Sequence, residues 1–195
     1  MKTYFITYSD EKFDFHRKEL NSQAEKTFDG VYTYDRDWLI KTKFYLENRH
    51  ILDQKTGAGF CLWKPYIILE TLNKINDDDV IFYLDSADIF SDGLVNFLKQ
   101  YFTTTKENII LTAGGYPQKD WTRRDCFVLM ECDENKYHNQ IQIEAGIIAL
   151  KKCDKTISLY ITDTGLFLDR KNCAISSTTF ISSILYAKCK LPQAL

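Results

Sequence analysis

Residues 80–90 read VIFYLDSADIF: five apolar residues in a row, then two aspartates three positions apart. A run this short, bounded by charge on both sides, reads as a buried strand. The acidic triplet before it, Asp77-Asp78-Asp79, reads as a solvated turn. Strand-like and helical patterns alternate around this segment, and that alternation predicts an α/β sandwich with a largely parallel sheet. In open sheets of that kind ligands gather at the carboxyl ends of strands. Asp85 and Asp88 fall at such an end.

The other elements follow from the same patterns. TYFITYS predicts a first strand, FDFHRKELNSQAEKT a helix, and FDGVYTYD a second strand after a glycine turn. DWLIKTKFYLENRHIL predicts one amphipathic helix with Asp37 as its cap. KTGAGFCLW then breaks the chain with two glycines, and Pro65 sits in the first turn of the next helix, WKPYIILETLNKI. Farther on, GLVNFLKQYF predicts a helix and NIILTAGG a strand. RDCFVLMECD predicts an apolar helix opened by Asp125. IQIEAGIIALKK predicts a strand whose mid-strand glycine marks a bend or a close backbone approach. TFISSILYAKC predicts a last helix. One domain over residues 1–195 is expected, either whole or cut from a longer, multi-domain protein.

Composition removes several classes of function. With 195 residues, 45% of them hydrophobic, the chain can bury a sizeable core and is not a disordered segment. A net charge of −2 advertises no nucleic-acid groove. No run approaches the ~20 apolar residues of a membrane span, and the opening MKTYFITYSDEKF lacks the apolar core of a signal peptide. A cytoplasmic protein is expected. The six cysteines form no C-x-x-C pair and never cluster with the three histidines at zinc-ligand spacing, which reads as buried free thiols.

Two carboxylates at i and i+3 on a tight turn can share one divalent cation, and Mg²⁺ and Mn²⁺ both prefer oxygen ligands. Such an ion keeps open positions for phosphate oxygens and acts as a Lewis acid on a diphosphate leaving group. Trp63-Lys64-Pro65 precedes a helix whose free N–H groups favour anions, so Lys64 is a candidate contact for a diphosphate or an acceptor. Trp63 reads either as packing or as a sugar platform. In GGYPQKDWTRRD, Trp121 can stack on a sugar face, Arg123 or Arg124 can pair with phosphate, and Asp120 or Asp125 can bond sugar hydroxyls. Asp125 reads equally as a helix N-cap. Glu144 lies isolated between Ile143 and Ala145.

DDDVIFYLDSADIF resembles the metal-binding segment of GT-A glycosyltransferases, where an acidic motif ends a central strand. Its D-x-x-D spacing is like that of the glycosyltransferase domains of collagen-modifying lysyl hydroxylases. A closer resemblance is to small glycosyltransferases of bacterial polysaccharide clusters and large DNA viruses. It is carried by YFITYSDEKF, GAGFCLWKPYIILETL, WTRRDCFVLMECD and QIEAGIIALKK, in that order over residues 4–152. The resemblance implies a single GT-A (Rossmann-like) domain that takes a hexose or deoxyhexose from a nucleotide-diphosphate sugar, a UDP-sugar above all. The acceptor would be a glycan or a protein-linked group.

By the same resemblance Asp85 and Asp88 would bind Mn²⁺ or Mg²⁺. Thr7 and Tyr8 would lie beside the base and ribose, with Lys64, Ser86, Trp63 and Arg123 among the donor-binding residues. Glu144 would lie under the donor sugar. Asp120, Asp125 and Glu144 are the candidates for a base that takes the acceptor proton in an inverting reaction; a retaining one needs no dedicated base.

The resemblance lapses toward the C-terminus. Thr178 and Thr179 stand where the family carries Asp and Gln, and no histidine follows His138. Either the diphosphate is held differently or activity is reduced. Two rivals follow: a degenerate nucleotide-sugar-binding domain without turnover, and a haloacid-dehalogenase-like phosphatase. The latter needs aspartates at the first and third motif positions, and Ala87 occupies the third.

Overall fold

The computed structural model describes residues 1–129 and 132–158. The predicted last helix, Cys173, Thr178, Thr179 and Cys189 lie outside them. In chain order the elements are β1 (Thr3–Ser9), α1 (Asp14–Ala24), β2 (Gly30–Asp35), α2 (Arg36–Leu39), α3 (Lys43–Leu52) and α4 (Gly57–Phe60). There follow α5 (Trp63–Leu72), β3 (Val80–Leu84), α6 (Leu94–Thr104), β4 (Ile109–Pro117), α7 (Arg124–Leu129), α8 (Asn135–His138) and β5 (Ile141–Lys151).

The strands form one sheet in the order β2-β1-β3-β5-β4. β1 pairs in parallel with β2 and with β3, whereas β5 runs antiparallel to both β3 and β4. Four strands therefore point one way and β5 opposes them, which makes the sheet mixed but mostly parallel. β5 follows β4 in the chain and pairs with it antiparallel. The chain makes its excursion at the rim and re-enters from the same end.

β3 is apolar throughout because both of its faces are covered. Val80, Phe82 and Leu84 pack on one side with Leu20 and Ala24 of α1 and Val95, Leu98 and Phe102 of α6. Ile81 and Tyr83 pack on the other with Phe44 and Leu52 of α3 and Ile67, Ile68 and Leu72 of α5. Helix, sheet and helix make three layers, and the carboxyl ends of β1, β3 and β4 share one rim.

Two local readings need correction. DWLIKTKFYLENRHIL is two helices, because the Thr42 hydroxyl oxygen accepts from the Tyr45 amide (3.1 Å) and starts α3 afresh. Asp35, not Asp37, caps α2, accepting from the Trp38 amide at 2.8 Å. The acidic triplet is not wholly solvated either. Asp79 is buried and accepts from the Lys2 amide at 2.6 Å, tying the start of β1 to the turn before β3. Among the described cysteines Cys126 and Cys132 are buried, and Cys61 and Cys153 are half-buried. No helix among the described residues is long and apolar enough to cross a membrane.

Candidate active site

The site begins in an unusual piece of backbone. Gly57, Ala58, Gly59, Phe60 and Cys61 all have positive φ, so the chain makes a left-handed turn that L-residues adopt only at a cost. This turn ends where α5 begins and sends Lys64 inward. Lys64 is 2% exposed, and its Nζ donates to Asp85 Oδ1 at 2.9 Å and to the Ala145 carbonyl at 3.0 Å. The ammonium also lies over the Tyr83 ring, 4.8 Å from its centroid.

Asp85 directly follows β3. Its amide donates to the Gly146 carbonyl (2.9 Å), and the Asp88 amide donates to the Asp85 carbonyl (3.0 Å), closing the turn. Oδ1 of Asp85 accepts from both the Tyr83 hydroxyl and Lys64. Oδ2 faces the other way. A Cβ placed on Gly146 would lie 3.3 Å from Asp85 Oδ2 and 3.4 Å from Asp88 Oδ2, so the two carboxylates converge over the glycine. Of the bend or close approach expected at Gly146, the structure shows an irregularity: pairing with β4 jumps from Leu111–Ile148 to Thr112–Glu144 across it. Asp88 is exposed as a residue, yet partial desolvation raises its carboxyl above the ordinary carboxylate range, and the neighbouring Asp85 charge adds to this; Lys64 opposes it and Glu144 reinforces it.

Two carboxylate oxygens on one side of a glycine suit a hard divalent cation. Mg²⁺ in particular is commonly held by one or two carboxylates, with water and phosphate completing the shell. Among the described residues no group of three or more His, Cys, Asp or Glu side chains is assembled to hold an ion. Asp85 and Asp88 offer two oxygen donors of the kind Mn²⁺ or Mg²⁺ takes, and the other positions would fall to water and phosphate. Gly146→Ala tests the cradle: the added methyl intrudes between the carboxylates, so Mn²⁺ affinity falls about tenfold or more while the melting temperature changes by no more than a few degrees. Isothermal titration and thermal unfolding read the two quantities.

Glu144 is exposed on β5, opposite Thr112, with its Oε1 3.3 Å from the position of a Gly114 Cβ. It is near enough to Asp88 to act on its ionisation. Asp120, Trp121, Arg123 and Asp125 stand farther out. They follow Pro117, which pairs with Ile141, five strand positions from Gly146 and thus about 16 Å along β5 at ~3.3 Å per residue. Arg123 pairs with Asp125 at 2.7 Å and holds that carboxyl below its ordinary range. α7 begins at Arg124, so Asp125 lies in its first turn rather than at its cap. Arg124 pairs with Asp133 at 3.1 Å. Trp121 is 54% exposed and meets Tyr116, ring centroids 5.9 Å apart.

The residues expected to hold the nucleotide are mostly enclosed. Thr7 is fully buried and its hydroxyl donates to the Leu84 carbonyl at 2.8 Å, locking β1 to the exit of β3. Tyr8 is buried and stacked on Trp63 with centroids 3.9 Å apart, and the Trp63 indole N–H donates to the Gly57 carbonyl. The Trp63 side chain is thereby committed to packing. The Tyr8 hydroxyl is buried without a hydrogen-bond partner among the described residues. Ser86 is buried in the turn between the two aspartates.

Sequence reasoning missed Tyr83 and the Ala145 carbonyl. The signal for Tyr83 was present: a hydroxyl in a fully buried strand must find a partner, and the residue two positions on, facing the same side, is Asp85.

No family model and no curated protein sequence matches the chain significantly. Among solved structures it is similar to mannosyl-3-phosphoglycerate synthase from Rubrobacter xylanophilus, at 13% identity over 99% of this chain and 77% of that one, TM-score 0.46. It is also similar to the galactosyltransferase LgtC in complex with donor and acceptor sugar analogs, at 11% identity over 93% and 70%, TM-score 0.47. Likeness of this degree carries no weight for the site, whose reading rests on the geometry above.

Proposed function

We propose that the chain is a metal-dependent glycosyltransferase of the GT-A type, moving a hexose or deoxyhexose from a nucleoside-diphosphate sugar to a glycan or protein-linked acceptor. The observation that carries this reading is the convergence of Asp85 Oδ2 and Asp88 Oδ2 over Gly146 at the carboxyl end of β3. The sequence resemblance over residues 4–152 supports it. Asp85 and Asp88 would hold Mn²⁺ or Mg²⁺, which when bound supplies Lewis-acid stabilisation to the departing diphosphate.

The chain's own residues do the rest. Lys64 holds Asp85 in place from below. Glu144, exposed beside the clamp, is the best placed of the three candidate carboxylates to take the acceptor proton if the reaction inverts. Trp121, with Tyr116 beside it, offers an exposed aromatic face for an acceptor sugar.

The test is incubation with a panel of nucleotide-sugars, UDP-sugars first, with and without Mn²⁺. Nucleoside diphosphate release from one donor, lost on chelation, is the expected result. Binding without turnover would point instead to a nucleotide-sugar-binding module, and phosphate release from simple monoesters would overturn both readings.

A further inference from the structure

The two oxygens of Asp85 have different environments, and that difference assigns a role to a residue buried beneath the site. Oδ1 accepts from the Tyr83 hydroxyl and from Lys64 Nζ, 2.9 Å away. A carboxylate oxygen offers about two lone-pair positions, so these two donors fill Oδ1. Oδ2 is the oxygen turned toward Asp88, close over Gly146.

We infer that Tyr83 is a positioning residue for the cation site: with Lys64 it occupies Oδ1 of Asp85, so that Asp85 presents Oδ2 alone beside Asp88. This rests on the reading of Asp85 and Asp88 as cation ligands and adds to it the group that sets their geometry.

The placement follows from the strand. Residues two apart on a strand face the same way, so Tyr83 and the first residue beyond β3 stand on the face that α5 covers with Lys64. The Tyr83 ring is fully buried and packs in the core on that face. Its hydroxyl reaches the upper edge of that core, where the carboxylate begins. Without it, the Asp85 carboxylate would keep one donor on Oδ1 and gain freedom about its last torsion. A cation would then have to order it on binding. Outer-shell partners of metal ligands typically alter metal affinity about 10–100-fold when removed.

Tyr83→Phe is the decisive variant, because it removes one hydroxyl and alters neither charge nor ring packing. Mn²⁺ binding to the full chain is measured by electron paramagnetic resonance of the free ion, with and without UDP, alongside thermal unfolding in the absence of metal. Ile81→Val, on the same strand and the same core face, serves as the control for general loosening.

The expected result is a Mn²⁺ affinity about tenfold weaker in Tyr83→Phe at a nearly unchanged melting temperature. Ile81→Val should show the converse, a lowered melting temperature with wild-type affinity. Wild-type Mn²⁺ affinity in Tyr83→Phe would overturn the assignment while leaving the cation site standing. Equal loss of affinity in both variants would reduce Tyr83 to a packing residue. A wild-type chain that binds no Mn²⁺ with or without UDP would remove the cation site itself, and this inference with it.

Discussion

Asp85→Ala and Asp88→Ala are each expected to abolish metal-dependent donor binding and nucleoside diphosphate release, yet to move stability in opposite directions. The shared effect follows from the clamp: either change removes one of the two carboxylates that meet over Gly146, and the single one left does not fix a cation against the diphosphate. The opposite effects follow from what lies behind each residue. Asp85 is the partner of a buried ammonium. Its removal leaves Lys64 with the Ala145 carbonyl and two ring faces, and with no anion at ion-pair distance among the described residues. The cost is about 3 kcal/mol, the low end of the range for breaking a buried pair, because the Asp85 side chain is 43% exposed.

Asp88 has no such dependent. Its carboxyl titrates above the ordinary range, so the folded chain holds that proton more tightly than the unfolded one. The stabilisation it gives is complete below the ordinary carboxylate range and is lost as pH rises through the raised value. At neutral pH, therefore, ionised Asp88 works against the fold, and alanine relieves it. Metal-free Asp88→Ala should melt at or above the wild-type temperature at neutral pH, with the advantage vanishing on acidification. Donor binding that survived both substitutions would refute the site, and shifts of the same sign at neutral pH would refute this account of it.

The parts of the molecule legible in the sequence are those that local pattern controls. VIFYL could be read as a buried strand because two covered faces leave no polar alternation, and Asp85 could be read as a strand-end residue from the charge that follows. Gly146 was legible for a related reason, since a glycine inside an apolar strand signals a bend or a close approach, and the pairing with β4 is interrupted there. What escaped was set by partners far along the chain. The reversal of β5 depends on which end of the sheet the chain re-enters, and an apolar strand pattern says nothing of its direction. Lys64 illustrates both sides. Its place before a helix suggested an anion contact, and it has one, but the anion is the carboxylate of Asp85, 21 residues on. Thr7 and Tyr8 looked like ligand contacts because strand ends in such sheets carry them; the structure spends the first on Leu84 and the second on Trp63.

Gly59→Ala is the substitution expected to cost the fold most. Gly59 sits at φ +95° in the middle of the left-handed turn, and a Cβ there would lie 2.5 Å from Leu52 Cα and 2.9 Å from the Leu52 carbonyl oxygen. Both obstacles are backbone at the end of α3, where Leu52 is itself 1% exposed, so no side-chain rotation relieves the clash. Strained backbone costs about 1–3 kcal/mol and overpacking about 1–3 kcal/mol, so the loss is roughly 2–6 kcal/mol out of a domain's ~5–15 kcal/mol. Gly57→Ala is the comparison. Its φ of +57° lies in the left-handed well that L-residues do reach, and its Cβ would meet only the Cys61 sulfur at 3.0 Å, a side chain able to move. Urea denaturation should show Gly59→Ala far below wild type and Gly57→Ala close to it. Because the same turn delivers Lys64 to Asp85, Gly59→Ala should also weaken Mn²⁺ binding at temperatures where the chain is still folded. Equal stability of the two variants would mean that the turn yields freely and does not set the position of Lys64.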